Sequence, residues 1–277
     1  MPGNNPGMLT NAGALGADVV IFDLEDAVAQ NEKDAARILV RRALGEMRPA
    51  GVECMVRMNG LDTTFWKDDV CAAVSGGADL ILLPKCEGPE DLEQVWSLMN
   101  EYKTREQAID DLPDLMVIVE TARGLENVSS IAAFKGPLAG ILLGAEDLTA
   151  DLGARRTAKG DEIFYARSRV LTACKAAGIK AIDTPFPFVT DLEGLAADAD
   201  FAAQLGFDGK AVISPHHVHR VKEAFSPTVE QIDWASRVLA AASTAEQEGK
   251  GACSLDGMMI DLPIIKQAER SLSRAGD

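Results

Sequence analysis

Short apolar runs alternate with longer helical patterns along most of this chain. The runs cover residues 18–22, 54–57, 80–83, 115–119, 140–143, 179–182 and 211–213. Apolar residues recur at helical spacing in residues 33–48, 65–75, 89–104, 126–133, 161–177, 192–205 and 218–224. A strand that is covered on both faces is apolar throughout, so these runs are typical of a parallel sheet. Strands and helices that alternate in this way predict βαβ units.

Two arrangements accommodate such units, an open doubly wound sheet and a (β/α)8 barrel. The dinucleotide-binding form of the first has G-x-G-x-x-G after its first strand, whereas residues 23–26 here read Asp-Leu-Glu-Asp. We therefore predict an α/β fold of the (β/α)8 TIM-type barrel class. A barrel needs eight strands, and the sequence contains seven runs. Residues 2–6 are loop-like and stand where a loop would follow one more strand, so we predict that the first barrel strand is missing from this chain.

The pattern changes after Pro227. A long helix rich in Ala and Glu is predicted at residues 229–248, and a last helix at residues 263–274. Residues 256–261, between the two helices, contain glycine, and the reaction implied by the family resemblance described below leads us to interpret this segment as a lid. The predicted domains are a barrel at residues 1–226 and a C-terminal helical extension carrying the lid at residues 227–277.

Charge and targeting signals exclude several classes of protein. The 277 residues include 43 acidic and 27 basic side chains, for a net charge of −16. Phosphate backbones select basic surfaces, so we expect no nucleic-acid partner and no anionic-membrane partner. No apolar run approaches the ~20 residues that span a bilayer, and the first residues do not have the character of a signal peptide. The five cysteines are scattered without a C-x-x-C pair, which indicates a reduced, cytoplasmic protein.

Polar side chains follow the ends of the apolar runs. In a barrel these ends meet at one face, where the active site lies. The side chains concerned are Asp23, Glu25, Asp26, Arg57, Lys85, Glu120, Arg123, Glu146, Asp147, Asp183, Thr184, Ser214 and His216. Charged groups buried without partners are costly. Their convergence therefore indicates a bound metal ion or a bound anion.

Carboxylates without Cys or His partners favour a hard cation such as Mg²⁺, which takes one or two carboxylates and completes its shell with water and substrate oxygens. Glu120 and Asp147 are the candidate direct ligands. Asp23 and Glu25 are candidates to bind metal-bound waters. Arg57 is a candidate to hold a substrate carboxylate through a fork of hydrogen bonds. The alternative is that these residues cap helices and pair with one another.

The remaining polar residues are expected to support the site or to face solvent. Lys85 and Asp26 are assigned to the surroundings of the metal, because a carboxylate site makes a Schiff-base role for Lys85 less favoured. The histidines of residues 216–219 are expected to face solvent at a helix start rather than to bind zinc. The basic residues 155–159 are expected to form a solvated loop, with contact to the phosphates of a bound ligand as the alternative.

Ten segments together carry a family resemblance. They are PGNNPGML (2–9), ADVVIFDLEDAV (17–28), EKDAAR (32–37), VRMN (56–59), LPK (83–85), VETARGLEN (119–127), LLGAEDLTADLG (142–153), AIDTPF (181–186), GFDGKAVISP (206–215) and DGMMIDLP (256–263). With these segments in this order, the chain resembles the citrate lyase β-subunit-like branch of the HpcH/HpaI aldolase superfamily. That branch includes malyl-CoA and citramalyl-CoA lyases. The resemblance covers nearly the whole chain, and the set is far more specific than any one segment.

The resemblance implies a Mg²⁺-dependent barrel enzyme that cleaves or forms a carbon–carbon bond next to an acyl thioester. Glu120 and Asp147 would be the metal ligands, and Arg57 would hold oxygens of the 2-keto acid. Asp261 would be the acid/base and would enter the active site of a neighbouring subunit in a homotrimer. Residue type and spacing alone do not single out Asp261. Family members begin with a strand of the form R-S-x-L-F-V before P-G-N-N-P, in agreement with the seven-run count.

The predicted activity is cleavage of a 3-hydroxyacyl-CoA thioester, of the citramalyl-CoA or malyl-CoA type, into acetyl-CoA and a 2-keto acid. Its partner would be a small acyl-CoA substrate. Three alternatives remain open. They are a citrate lyase β subunit acting on a citryl thioester of an acyl-carrier protein, a class II pyruvate aldolase without coenzyme A, and a descendant that has lost catalysis and only binds partners.

Overall fold

A computed structural model describes residues 1–106, 111–247, 249 and 253–275. The strands are β1 (Val19–Asp23), β2 (Glu53–Arg57), β3 (Leu80–Leu83), β4 (Asp114–Val119), β5 (Leu138–Leu143), β6 (Lys180–Asp183), β7 (Gly209–Lys210), β8 (Cys253–Leu255) and β9 (Met258–Ile260). The helices are α1 (Pro6–Thr10), α2 (Lys33–Glu46), α3 (Trp66–Gly76), α4 (Pro89–Glu106), α5 (Ala122–Glu126), α6 (Val128–Ala132), α7 (Ala145–Asp151), α8 (Phe164–Ala177), α9 (Leu192–Leu205), α10 (Pro215–Phe225), α11 (Val229–Gln247) and α12 (Leu262–Ala275). Short 3₁₀ helices cover Ala12–Leu15, Gln30–Glu32 and Asp161–Ile163. Glu248, the last residue of one predicted helix, lies outside the described residues.

The first seven strands form one parallel sheet in the order of the chain, β1 to β7. Each strand pairs in parallel with the next one along the chain. The first such pair of residues is Val19 and Glu53, between β1 and β2, and the last is Asp183 and Lys210, between β6 and β7. A doubly wound sheet reverses its strand order at a switch point, whereas this sheet does not. The α/β prediction is therefore confirmed, and the sequential order is that of a (β/α) barrel. The closed (β/α)8 barrel, and the absence of its first strand from this chain, stay predictions.

The first residues of the chain extend this sheet beyond β1. Pro2 forms a parallel bridge with Asp23. The N–H of Asp23 donates to the carbonyl of Met1 over 2.9 Å, and the N–H of Gly3 donates to the carbonyl of Asp23 over 2.7 Å. A Cβ at Gly3 would lie 2.8 Å from that same carbonyl oxygen, so this close pairing requires glycine. Residues 1–3 thus hold the carboxyl end of β1 in place.

Both faces of the sheet are buried. One face carries a single apolar cluster formed by Met55, Leu80, Leu82, Met116, Ile118 and Leu142, with Ile21, Ala139, Ile182 and Ala211 packed against it. Val56, Ile81 and Val117 alternate with these residues and are also buried, on the opposite face. Burial on two sides explains why the strands read as apolar runs. It also leaves the carboxyl ends of the strands as the place where polar residues gather.

The last strand of the sheet differs from its predicted position. Pairing with β6 involves Gly209 and Lys210 rather than the apolar residues 211–213. After a final hydrogen bond from Ala211 to Asp183, the chain leaves the sheet, and Ile213 is 61% exposed. The predicted strand at residues 211–213 is therefore wrong, because only Ala211 packs against the apolar cluster and Ile213 lies outside the sheet. The predicted helix at residues 126–133 is likewise two short helices, α5 and α6.

The chain divides into two compact units, Met1–His219 and Arg220–Asp277. The sequence had placed the boundary at residue 226, just past the end of α10. The second unit has its own apolar centre, formed by Ala235, Val238, Ile260 and Ala268. Among the residues that the structure describes, no helix combines the length and apolar character needed to cross a bilayer.

The second unit contains a hairpin that the sequence analysis did not predict. Strands β8 and β9 pair antiparallel, from Leu255 beside Met258 to Cys253 beside Ile260. The two residues between them, Asp256 and Gly257, have φ values of +51° and +79°. A two-residue hairpin turn of this type needs positive φ at both positions, and Asp-Gly is a favoured pair for it. The Asp-Gly dipeptide was thus a sequence signal for this turn.

Candidate active site

Glu120 is the first residue after β4, and its side chain is only 3% exposed. Its Oε1 accepts the backbone N–H of Lys85 over 2.8 Å. Lys85 follows β3 with a φ of +51°, a conformation that is uncommon for residues other than glycine. The bend after β3 therefore fixes one oxygen of a buried carboxylate that belongs to the next strand.

Gly144 directly follows the neighbouring strand β5 and packs against Glu120. A Cβ at position 144 would lie 2.6 Å from the Cβ of Glu120 and 2.7 Å from its Oε2. Because no other residue fits this approach, glycine is required here. Helix α7 begins at the next residue, and its first turn contains Glu146 and Asp147, both exposed. The close approach thus brings the start of α7 to the side of Glu120.

Burial, and to a smaller extent the neighbouring Asp147, raise the pKa of Glu120 to about 8 although the N–H of Lys85 opposes the shift. Two carboxylates that lie close enough to repel each other are stabilised when one of them takes up a proton. A cation bound between them relieves the same repulsion. Hard oxygen donors suit Mg²⁺, which binds one or two carboxylates and keeps water or substrate in its other positions. No cluster of three or more His, Cys, Asp or Glu side chains that could hold a metal is found within the described ranges. The two carboxylates therefore fit an open Mg²⁺ site rather than a complete protein cage.

Arg57, at the end of β2, binds the carboxylate at the end of β1. Its Nε and Nη2 donate to Asp23 over 2.7 and 2.5 Å, and its Nη1 lies 2.9 Å from Oε2 of Glu25. Burial opposes the charge on Arg57, yet the hydrogen bond and charge of Asp23 keep its pKa above the ordinary value. Burial likewise opposes ionisation of Asp23, and Arg57 still holds the pKa of Asp23 below its usual range. The predicted alternative of mutual pairing thus holds for Asp23, which is engaged by Arg57.

Glu25 lies between two cations. Its Oε1 accepts from Nζ of Lys85 over 2.8 Å, and Arg57 approaches its other oxygen. Burial raises the pKa of Glu25 in spite of these two partners. Asp26 is more distant, at 3.9 Å from Nη1 of Arg57, and is exposed. Lys85 therefore connects the two halves of the site, since its backbone binds Glu120 and its ammonium binds Glu25.

A buried lysine supports the loop after β1. Nζ of Lys33, in the first turn of α2, donates to the carbonyls of Leu24 and Glu25 over 2.8 and 2.6 Å. The sequence does not reveal this contact, because backbone carbonyls leave no residue pattern. Holding both carbonyls fixes the chain that presents Asp23 and Glu25.

The family model described as HpcH/HpaI aldolase/citrate lyase matches residues 1–215. The chain belongs to this family. Relatives of the HpcH/HpaI family cover almost the whole chain and confirm the predicted family. The citrate lyase subunit beta of Leuconostoc mesenteroides subsp. cremoris is 41% identical over 275 residues, which are 99% of this chain and 91% of that protein. The mitochondrial citramalyl-CoA lyase of Rattus norvegicus is 33% identical over 288 residues, with 99% and 84% covered.

A solved structure of the family has the same overall fold. It is the crystal structure of the protein CitE from Mycobacterium tuberculosis in complex with magnesium, acetoacetate and coenzyme A. Its TM-score is 0.83 at 34% identity, and the match covers 100% of this chain and 96% of that chain.

Asp261 of this HpcH/HpaI family member lies in the second unit, directly before α12. Its Oδ1 accepts the N–H of Ile264 over 3.4 Å, and its carbonyl accepts the N–H of Ile265, so it caps the helix. Its side chain is exposed, and the hairpin residues Met258 and Met259 before it are 50% and 66% exposed. Asp261 is therefore a helix cap that lies next to exposed apolar residues. Its acid/base role stays a prediction.

Two expectations about the surroundings of the site are confirmed for exposed Arg155, Lys159, His216 and His219 and are wrong for one residue each. Arg156, expected in a solvated loop, has a nearly buried side chain that pairs with Glu146 and Glu162 at 3.0 and 2.9 Å. His217, expected to face solvent, is fully buried with Nε2 3.0 Å from the carbonyl of Val189. In both cases the partner comes from a neighbouring element, so the local composition did not reveal it.

Proposed function

We propose that this chain is a Mg²⁺-dependent carbon–carbon lyase that cleaves a 3-hydroxyacyl thioester into an acetyl thioester and a 2-keto acid. The observation that carries this proposal is the pair formed by buried Glu120 and exposed Asp147, in which the pKa of Glu120 is raised to about 8. The citramalyl-CoA lyase relative and the CitE complex with magnesium and coenzyme A support it. The substrate we favour is a coenzyme A thioester of the citramalyl-CoA or malyl-CoA type.

Glu120 and Asp147 would hold the ion, and Lys85 would keep Glu120 in orientation through its backbone N–H. When bound, Mg²⁺ supplies Lewis-acid stabilisation of oxygen charge as a hydroxyl becomes a carbonyl. Arg57 is fixed by Asp23, which uses two of its five N–H donors. Nη1 of Arg57 also lies 2.9 Å from Oε2 of Glu25. One N–H on Nη1 and one on Nη2 then remain, and we propose that this pair binds the carboxylate of the 2-keto acid.

Asp261 would be the acid that delivers a proton to the carbon of the acetyl thioester enolate after the carbon–carbon bond breaks. The reaction stays balanced because the substrate hydroxyl gives up one proton as it becomes the carbonyl of the 2-keto acid. In the synthetic direction the same carboxylate would remove that proton. Its exposure at the start of α12 leaves the carboxylate accessible to a substrate held elsewhere. We further propose that it serves a neighbouring subunit of a homotrimer, and that residues 256–261 act as the lid.

A substrate panel tests the activity. The protein is incubated with Mg²⁺ and with malyl-, citramalyl- and citryl-thioesters, and separately with free 2-keto aldol substrates, and the products are identified by mass spectrometry. We expect an acetyl thioester and a 2-keto acid from one of the thioesters. Cleavage of free aldol substrates alone would instead support a class II aldolase.

A second candidate is the β subunit of a citrate lyase, which acts on a citryl thioester of an acyl-carrier protein. The 41% identity to the Leuconostoc subunit favours this alternative over the aldolase. The same panel separates the two candidates when citryl groups are presented both on coenzyme A and on an acyl-carrier protein. Preference for the carrier-bound form would identify a citrate lyase subunit.

A further inference from the structure

Helix α7 begins without a cap from its own sequence. The first N–H groups of a helix have no partner within the helix, and a side chain at the residue before it commonly accepts one of them. Here that residue is Gly144, which has no side chain. Because a Cβ at this position would clash with Glu120, the packing that forms the carboxylate pair also prevents a local cap.

A residue that follows another strand supplies the hydrogen-bond acceptor for the first turn of α7. Thr184 follows β6 and is fully buried, and its Oγ1 accepts the N–H of Ala145, the first residue of α7, over 3.1 Å. Thr184 thus caps α7 from a distance of 39 residues in the chain. Asp147 lies two residues further along, in the same first turn.

Thr184 is itself held by Lys210. Nζ of Lys210 donates to the carbonyl of Thr184 over 2.6 Å, to Oδ2 of Asp183 over 2.7 Å and to Oδ2 of Asp198 over 2.6 Å. An ammonium has three N–H donors, so each has one acceptor here. The backbone of Thr184 is therefore fixed by a group that has no remaining freedom to rotate.

A buried cluster of four charges anchors Lys210. Nε and Nη2 of Arg167 bind the two oxygens of Asp183 at 2.9 Å each, and Nη2 also binds Asp198 at 2.7 Å. All four side chains are buried, and two cations balance two anions. Strand β7 has only two residues paired with β6, so this cluster supplies much of the connection between α8, β6, α9 and β7.

We propose that Thr184 is a positioning residue for the cation site, because its hydroxyl sets the first turn of α7 and thereby the place of Asp147 beside Glu120. The inference rests on the proposed function, in which those two carboxylates hold Mg²⁺. Thr184 does not touch the ion and acts through Ala145. Residues that orient metal ligands from behind change metal affinity by roughly 10- to 100-fold when they are replaced.

The test compares three variants by calorimetric titration of the metal-free protein with Mg²⁺. Thr184→Val keeps the shape and removes the acceptor, whereas Thr184→Ser keeps the acceptor. Thr149→Val is the matched control, since this buried threonine of α7 donates only to helix carbonyls, those of Ala145 and Glu146. We expect Kd for Mg²⁺ to rise about tenfold in Thr184→Val and to stay within about twofold in the other two variants.

Thermal denaturation separates positioning from a purely structural role. A role in stability alone would lower the Tm of Thr184→Val and leave its Kd for Mg²⁺ unchanged, which would overturn the inference while the proposed function stands. If the wild-type protein itself does not bind Mg²⁺, the proposed function fails and this inference fails with it. Should Thr184→Val not fold, Thr184→Ala is read by the same criteria.

Discussion

Lys85 donates its backbone N–H to Oε1 of Glu120 over 2.8 Å, with φ in the left-handed region at +51°. A left-handed conformation costs a residue with a Cβ roughly 1–2 kcal/mol. This conformation orients the buried carboxylate of Glu120, because the N–H of Lys85 holds Oε1 and leaves Oε2 beside Gly144. Local backbone strain here serves the site rather than the stability of the fold.

This strain predicts an order of stability for two variants. Lys85→Gly and Lys85→Ala both remove the ammonium, but Ala keeps the Cβ that disfavours a positive φ. We expect Lys85→Ala to be the less stable of the two by about 1 kcal/mol, seen in thermal denaturation as a Tm about 2 to 4 °C lower. Equal Tm values would mean that the left-handed conformation is not maintained in solution.

The raised pKa of Glu120 predicts that Mg²⁺ affinity depends on pH. Below about pH 8 the carboxyl carries a proton in the metal-free protein, and Mg²⁺ has to displace it. Affinity should therefore increase by about tenfold per pH unit as pH rises toward 8, and level off above it. Titration calorimetry in buffers of different ionisation enthalpy measures both Kd and the released proton. A Kd that does not change between pH 6.5 and pH 9 would contradict the assignment, and Glu120→Gln should abolish binding.

Replacement of Arg57 by Lys should separate geometry from charge. Lysine keeps the positive charge but not the planar fork that binds Asp23 through two hydrogen bonds. We expect kcat/KM to fall about a hundredfold, while Kd for Mg²⁺ changes little because Arg57 is not a ligand. Steady-state kinetics and calorimetry on the same preparation provide the two measurements. A near-normal kcat/KM in Arg57→Lys would contradict the proposal that Arg57 binds the substrate.

The buried charge cluster predicts a large loss of stability in Lys210→Met. Without the ammonium, Asp183 and Asp198 share Arg167 alone, and breaking a buried ion pair costs about 3–5 kcal/mol. The matched control is Lys175→Met, which removes a pair with Asp208 from a lysine that is 45% exposed. Such partly exposed pairs contribute about 1 kcal/mol or less. Denaturant unfolding should therefore show a clear difference between the two variants, and similar losses would argue against the cluster as the main anchor of β7.

Mixing two inactive variants tests whether Asp261 acts on a neighbouring subunit. Asp261→Asn should bind Mg²⁺ normally and lose most turnover, and Glu120→Gln should lose the ion. If the site is shared between subunits of a homotrimer, random reassembly of equal amounts restores about a quarter of wild-type activity, because half of the sites have an intact Glu120 and half of those an intact Asp261 beside them. If each subunit uses its own Asp261, the mixture stays inactive.

Much of the barrel-like sheet and of the candidate site follows from the sequence. Six of the seven predicted strands lie within two residues of their observed positions at each end, because burial on both faces makes the whole strand apolar. Polar residues placed after those strands had to meet at one edge, since parallel strands end on the same side of a sheet. That argument predicted Glu120, Asp147 and Arg57 from residue type and spacing alone, and the family resemblance added Asp261.

Partner choice was decided by the tertiary structure. The register of β1 with β2 places Asp23 beside Arg57, a pairing that residue order does not specify, and its role near metal-bound waters stays a prediction. Lys210 and Lys33 act through backbone atoms or through residues far along the chain, so no local pattern identifies them. The strand-end pattern includes Thr184 but does not reveal that its hydroxyl caps α7. Sequence periodicity determines which residues are buried and at which edge polar groups gather. Which oxygen meets which donor depends on strand register and on close approaches such as that of Gly144 to Glu120, and these exist only once the chain has folded.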